Sequence, residues 1–149
     1  MSEKEFDSLK LDNQICFPLY AASREIIRQY RPFLEELDLT YTQYITMMVF
    51  WEVGQINVKE LGRRLYLDSG TLTPLLKSLE AKGFVHRYRS KTDERVLNVE
   101  LTEKGAALRD RALEIPSKIR QVVNLDDEEE AVLYRLLYKV IGGSEEENI

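Results

Sequence analysis

NVKELGRRLYLDSGTLTPLLKSLEAKGFVHRYRSKTDERVLNVEL, residues 57–101, is the stretch of sequence that decides the fold. Asn57 is followed three residues later by a glutamate, a capping pattern that opens a short helix to about residue 65. Asp68 and the serine after it begin a second helix, whose leucines recur at helical spacing on one inward face. Gly83 is expected to stop that helix, because glycine tolerates the left-handed backbone at a helix C terminus.

After Gly83 the spacing of apolar residues changes from helical to alternating. Residues 84–89 and 96–101 both have the composition of strands, and the charged stretch 90–95 joins them as a hairpin. A short helix, a tight turn, a second helix and a charged hairpin together form a winged helix-turn-helix. The predicted fold class is therefore mainly α with a small β-hairpin wing.

The segment before this unit predicts two more helices. The first spans about residues 11–30; Pro18 inside it can kink the chain so that its first turns form a separate segment, and Pro32 predicts a break and restart. Thr40 opens a capping box for the second helix, which is apolar nearly all round and is therefore expected to be buried. Gly54 ends it.

The segment after the hairpin predicts two helices as well. Thr102 caps a long helix to about residue 123, in which Pro116 predicts a bend, and Asp126 caps a last helix that ends at Gly142-Gly143. The expected order is therefore four helices, a hairpin and two helices. At 149 residues the chain is the size of one domain and can bury a substantial core.

Charge is distributed unevenly along the chain. The formal net charge is −5, but residues 55–105 hold ten Lys and Arg against seven acids, and the remainder is strongly acidic. A basic middle section between acidic ends is typical of a local phosphate-binding surface, although a chance fluctuation in charge would give the same count. The acidic N-terminus lacks the build of a signal peptide and no apolar run could span a bilayer, so the expected location is the cytoplasm, without a membrane partner.

Cysteine and histidine usage limits the chemistry. The chain contains one cysteine, Cys16, and one histidine, His86, which excludes an internal disulfide and argues against a metal site. We therefore expect no metal and no cofactor.

The second helix of the pair supplies candidate DNA contacts. Its first turn presents small hydroxyl groups and backbone N–H donors, a glycine that allows close approach to a groove, and one turn later a lysine within reach of a phosphate. For the serine, simple helix capping is an equally good explanation. The candidate residues are Ser69, Gly70, Thr71, Thr73 and Lys77.

The hairpin supplies a second set of candidates. Arg95 lies just past its tip, where an acid two residues away can hold the guanidinium extended toward a minor groove, whose narrow stretches concentrate negative potential. A solvated charged turn is the alternative, and the adjoining helix pair favours the DNA-binding interpretation. The candidate residues are Arg87, Arg89, Lys91, Asp93 and Arg95.

These motifs together resemble a known family. LDSGTLTPLLK (67–77), DER (93–95) and LTEKG (101–105) are similar to the MarR family of winged-helix regulators, and NQICFPLY (13–20) is similar to its organic hydroperoxide resistance branch, OhrR. The similarity covers roughly residues 8–120. It implies an obligate homodimer whose two lobes bind a pseudo-palindromic operator in double-stranded DNA, and release of that DNA on oxidation.

The resemblance also implies a division of labour within a single domain, residues 1–149. Helices at about 8–37 and 103–141 are expected to join the dimer, and the winged helix-turn-helix at about 57–101 to bind DNA. Being a regulator, the chain is not expected to be an enzyme.

Cys16 is the candidate sensor. Tyr20 lies four residues on, on the same helical face, whereas Tyr30 lies roughly 21 Å further along a straight helix and could reach the thiol only from a second subunit. The resemblance implies that tyrosines of the opposite subunit hydrogen-bond the reactive cysteine, which matches these two positions. Phenol donors would stabilise the thiolate that attacks a peroxide.

Oxidation would give a sulfenic acid, and with no second cysteine the expected product is a mixed disulfide with a small cellular thiol, or overoxidation. Other interpretations remain open: a MarR-like repressor released by a small apolar or phenolic ligand with Cys16 merely packed, or a broader redox or virulence regulator. A peroxidase would lack a resolving cysteine and leave the basic wing without a purpose. A winged helix that binds protein instead of DNA is the remaining alternative.

Overall fold

The fold is built mostly from helices. The structure is a computed structural model that describes residues 3–142, and the chain divides into two compact units between Ile115 and Pro116. The helices are α1 Glu3–Asp7, α2 Cys16–Glu35, α3 Tyr41–Val53, α4 Val58–Leu65, α5 Ser69–Ala81, α6 Glu103–Ala112, α7 Ile115–Val123 and α8 Asp127–Gly142. The strands are β1 Gln55–Asn57, β2 Val85–Arg89 and β3 Leu97–Leu101.

The first long helix differs from its prediction at both ends. The first turns form a separate segment, as predicted: a 3₁₀ turn at Leu11–Asn13 precedes α2, which begins only at Cys16. Pro18 lies in the first turn of α2, where backbone N–H groups have no partner within the helix and a missing donor costs nothing. The break predicted at Pro32 is wrong: the helix continues to Glu35, because one lost backbone bond near its end does not outweigh continued helical geometry.

Local capping signals account for the helix pair and the helix before it. Thr40 and Gln43 form the predicted capping box of α3, and Gly54, with a φ of 76°, ends that helix. Asn57 and Asp68 cap α4 and α5 through their side-chain oxygens. Because each contact spans three residues, the sequence alone was sufficient to place these boundaries.

The wing is a three-stranded antiparallel sheet in the order β1-β3-β2. The predicted hairpin is confirmed, with Arg87 opposite Val99 across β2 and β3. The sequence missed β1, in which Ile56 lies opposite Val99, because three residues are too short to produce an alternating pattern. The fold class is confirmed: mainly helical, with a small sheet as the wing of a helix-turn-helix.

The helix predicted from residue 102 to 123 is two helices. Thr102 caps α6 as expected, but the chain breaks after Ala112 and α7 starts at Ile115. Pro116 therefore stands in the first turn of a new helix and does not bend a continuous one. Asp126 and Glu129 cap α8 reciprocally, and α8 runs to Gly142, while Gly143 lies outside the described residues.

The core of the first unit is formed by side chains of α2, α3, α4, α5 and the sheet. Its most deeply buried members have at most 2% of their surface exposed: Leu34, Tyr44, Thr46, Met47, Phe50, Leu61, Leu72, Leu76, Leu79, Val85 and Val99. By contrast, α8 has no buried residue. None of the helices within residues 3–142 is long and apolar enough to cross a membrane.

Candidate DNA-binding surface and redox site

The N terminus of α5 is capped by Asp68. Its carboxylate accepts a hydrogen bond from the backbone N–H of Thr71 at 2.7 Å, and this contact, together with the Thr71 hydroxyl, lowers the pKa of Asp68. Since Asp68 fills the capping role, Ser69 is the first residue within the helix and its side chain is exposed. The alternative explanation that Ser69 caps the helix is therefore wrong, because Asp68 is the cap.

The predicted contacts on α5 share one exposed face. Leu72, Leu75, Leu76 and Leu79 pack into the core on the other side, so the helix presents a polar surface to solvent. Thr73 uses its hydroxyl to donate to the carbonyl of Ser69 at 2.8 Å. The structure therefore places five predicted residues on one accessible surface: Ser69, Gly70, Thr71, Thr73 and Lys77.

The wing tip presents Arg95 to solvent. Its side chain is 91% exposed, and Asp93 accepts bonds from both its backbone N–H and its Nε at 3.1 Å. These two contacts lower the pKa of Asp93, so the acid stays ionised and holds the guanidinium outward. Arg89 and Lys91 are exposed beside it.

Arg87 does not belong to this exposed group. Glu80 of α5 accepts a bond from the backbone N–H of Arg87 at 2.8 Å and two from its guanidinium at 3.1 and 3.2 Å. Only 22% of the Arg87 side chain is exposed, and the backbone contact is the main reason why the pKa of Glu80 is lowered. Arg87 therefore joins β2 to α5 through its salt bridge with Glu80.

Cys16 is the first residue of α2 and is exposed. One turn further, the Tyr20 hydroxyl accepts a bond from Arg24 at 3.3 Å, and the guanidinium lies 5.4 Å from the ring centre. Next to them an open groove of about 470 Å³ runs along α2 between Phe17 and Arg31.

Tyr30 lies in a cluster of tyrosines. Its ring centre is 5.0 Å from that of Tyr41 and 5.6 Å from that of Tyr44. Burial raises the pKa of Tyr30 to about 12, with smaller contributions from the two neighbours, so the phenol keeps its proton and can act as a donor. Sequence reasoning missed Tyr41 and Tyr44, because only the crossing of α2 and α3 brings them to Tyr30.

A single subunit does not bring Tyr30 to Cys16, since fourteen residues of α2 separate them, roughly 21 Å of helix. Contact across a dimer remains a prediction.

Comparison with known proteins agrees with this geometry. Residues 28–111 match the family model of the transcriptional regulators SarA/Rot. An organic hydroperoxide resistance transcriptional regulator of Bacillus subtilis is 45% identical over 93% of this chain and 95% of its own, and SarZ of Staphylococcus aureus is 47% identical over 80% of each. AbfR of Staphylococcus epidermidis is 34% identical, and its structures bound to DNA, reduced and overoxidised, have TM-scores of 0.76 and 0.77 and cover 91% of this chain and 96% of theirs.

The family model covers the helix-turn-helix and the wing, and the matches to the Bacillus subtilis regulator and to AbfR cover more than 90% of this chain. Together they confirm the resemblance inferred from the motifs. The chain belongs to the MarR-type winged-helix transcriptional regulators, in the branch that contains the organic hydroperoxide resistance regulators and SarZ.

Proposed function

We propose that this protein is a homodimeric DNA-binding repressor that leaves its operator when Cys16 is oxidised by an organic hydroperoxide. The observation that carries the proposal is an exposed lone thiol at the start of α2, in a chain whose family matches include a hydroperoxide resistance regulator. The structural relative AbfR, described in reduced and overoxidised forms on DNA, supports a redox role for the family.

Each lobe, about residues 57–101, would place the exposed face of α5 in a major groove and Arg95 in the adjoining minor groove. The terminal segments, about 8–37 and 103–141, would join the two copies. In this arrangement Arg87 acts indirectly, by holding the wing against α5 through Glu80. The proposed direct contacts are Ser69, Gly70, Thr71, Thr73, Lys77, Arg89, Lys91 and Arg95, with Asp93 orienting Arg95.

The chemical step is an oxidation of sulfur by two electrons. The Cys16 thiolate attacks the terminal oxygen of the hydroperoxide, the O–O bond breaks, and the alkoxide leaves and takes up a proton to become an alcohol. The sulfenic acid then condenses with a small-molecule thiol to a mixed disulfide and water. Since the altered sulfur persists as the signal, the protein acts as a regulator and not as a peroxide-consuming enzyme.

Tyrosines would connect this chemistry to DNA affinity. Tyr20 and Tyr30 of the opposite subunit are proposed to donate to the thiolate, and Tyr41, packed on Tyr30, is added to this set because of its position. An enlarged sulfur substituent would displace these rings and alter the spacing of the two lobes. Docking at two sites one helical turn apart does not tolerate such a shift.

The test is oxidant-dependent release from DNA. The probe is the duplex of highest affinity that reduced wild-type protein recovers from a random library, and Kd is measured before and after cumene hydroperoxide with a small thiol present. Wild type should weaken by a factor on the order of 5- to 150-fold, whereas Cys16→Ser should bind and ignore the oxidant. Arg95→Ala is the matched control, because loss of a DNA contact should weaken binding in both redox states equally.

Release of Cys16→Ser by the oxidant as readily as wild type would refute the sensor role. Intact-mass measurement of the same samples should reveal one added thiol per subunit in wild type and none in the variant.

A second candidate function has one observation in its favour. A cleft of about 340 Å³ between Ile27, Arg31, Leu39 and Tyr41 is of a size that holds a small apolar or phenolic ligand. If such a ligand and not oxidation controlled DNA binding, 4-hydroxybenzoate or a similar phenol acid should release Cys16→Ser and wild type alike.

A further inference from the structure

One buried amide joins two networks in the first unit. Gln43, the third residue of α3, is 7% exposed. Its side-chain oxygen accepts from the backbone N–H of Thr40 at 3.0 Å and so closes the capping box of α3. Its side-chain nitrogen donates to the hydroxyl of Ser78 on α5, also at 3.0 Å. The start of α3 and the DNA-facing helix therefore share a single side chain.

Lys82, at the C-terminal cap of α5, strengthens this connection. Its ammonium donates to the same Gln43 oxygen at 3.0 Å and to the backbone carbonyl of Asp38, in the turn between α2 and α3. Lys104 in turn donates to the carbonyl of Lys82 at 2.8 Å. As a result, the end of α5 is held by polar contacts to the α2–α3 corner.

The tyrosine cluster touches the other side of the same corner. Tyr41 is the first residue of α3, two positions before Gln43, and its ring packs on Tyr30. Any displacement of Tyr30 and Tyr41 would act on the helical turn whose capping box Gln43 closes.

We propose that Gln43 is the positioning residue that transmits the state of the tyrosine cluster to α5. This inference rests on the proposed redox release, because it describes how the signal crosses from α2 and α3 to the DNA-binding helix. A buried amide that loses partners carries the full penalty of desolvation, so the first turn of α3 and the end of α5 move together or not at all. Packed elements linked in this way switch between discrete arrangements instead of deforming gradually.

A purely structural role for Gln43 would predict a different outcome. If the amide served stability alone, its removal would lower the melting temperature and leave the ratio of oxidised to reduced Kd unchanged. The ratio is therefore the decisive quantity, and reduced-state affinity and circular dichroism verify that each variant is folded.

Three variants separate the parts. Ser78→Ala removes the hydroxyl contact on α5 and leaves the Lys82 contact and the capping box of α3 intact, whereas Gln43→Met removes every side-chain bond of Gln43, to Ser78, Lys82 and the backbone of Thr40. Gln43→Glu is the conservative rescue, since a carboxylate can still accept from Thr40, from Lys82 and from the Ser78 hydroxyl. Asn57→Ala is the matched control, because it removes an equivalent cap whose bond, to the backbone N–H of Glu60, stays within α4 and does not join α3 to α5.

We expect Ser78→Ala and Gln43→Met to reduce the oxidised-to-reduced Kd ratio by about three- to fivefold, within the range by which residues of coupling networks change allosteric coupling. Gln43→Glu and Asn57→Ala should retain the wild-type ratio. Wild-type ratios in folded Ser78→Ala and Gln43→Met would overturn the role of Gln43 and leave the redox function standing. A wild-type protein that the oxidant does not release would overturn both.

Discussion

Helices α5 and α8 both carry several apolar residues, but these residues are buried in α5 and exposed in α8. In α5 four leucines, Leu72, Leu75, Leu76 and Leu79, are buried among α3, α4 and the sheet. In α8 no residue is buried, and its exposed apolar side chains are Val132, Leu133, Tyr134, Leu136, Tyr138, Val140 and Ile141. The leucines of α5 are thus buried within one chain, whereas the apolar face of α8 remains available to a partner.

The N-terminal end of α2 resembles α8 in this respect. Phe17, Leu19 and Tyr20 are all exposed, and Cys16 lies directly beside them. If a second copy covers this surface, any change in the contact between the two copies also changes the surroundings of the thiol. This placement supports the proposed link between oxidation and the geometry of the dimer.

The largest expected effect lies in the core of the first unit. Phe50→Ala should lower the free energy of unfolding by about 3–5 kcal/mol, because the ring is fully buried and its loss leaves a cavity. Leu136→Ala, at a side chain that is 43% exposed in the subunit, should change the unfolding of the isolated subunit far less. Chemical denaturation at low protein concentration measures both. Equal losses of unfolding free energy in the two variants would contradict the distinction between a core buried within one subunit and an apolar face of α8 that is exposed.

A smaller effect is expected when a charge is introduced on α8. Leu136→Glu should weaken dimerisation by about 10- to 100-fold, or roughly 1.4–2.8 kcal/mol, since association would bury an unpaired carboxylate. Analytical ultracentrifugation over a concentration series measures the dissociation constant. Met48→Glu, at a side chain of α3 that is 44% exposed and lies outside the segments proposed to join the two copies, adds the same charge and serves as the control. A dimer that tolerates Leu136→Glu would place the subunit contact elsewhere.

The smallest effect concerns the tyrosine cluster, where α2 meets α3. Tyr30 has a pKa of about 12 and those of Tyr41 and Tyr44 are also raised, so their ionisation should lag behind the ordinary value near 10. A raised pKa in the folded state contributes stability that is present below about pH 10 and is lost as the pH rises toward 12.

Absorbance of phenolate against pH tests this expectation. In the folded protein, part of the phenolate absorbance of the eight tyrosines should appear only above pH 10, and unfolding in guanidinium should abolish this delay. Tyr30→Phe should reduce the delayed part by one tyrosine. A single uniform transition near pH 10 in the folded protein would contradict the burial of the cluster.

Most helix boundaries could be predicted because their signals are local. Thr40, Asn57, Asp68 and Thr102 each bond to a backbone N–H three residues later, and Gly83 adopts a positive φ that suits a helix end. The strand that local signals missed depends on a distant partner. Strand β1 exists only because β3 lies beside it, and three residues carry too little pattern to reveal that pairing.

The candidate site divides in the same way. Arg87 and Arg95 are equivalent in the sequence, as basic residues of one hairpin. Folding distinguishes them, because Arg87 bonds to Glu80 of α5 and is only 22% exposed, whereas Arg95 bonds to Asp93 within the hairpin and is 91% exposed. Sequence spacing correctly placed Cys16 and Tyr20 one turn apart, but spacing could not bring Tyr41 to Tyr30.

The helix caps, the winged helix-turn-helix, the lone cysteine and the basic hairpin all follow from residues close together in the chain, where hydrogen bonding and apolar periodicity act over one or two turns. Tertiary structure decided which arginine bonds to α5, which tyrosines pack together and how Gln43 contacts two helices. Those contacts join residues far apart in sequence, and their energies depend on burial and distance that exist only once the chain has folded.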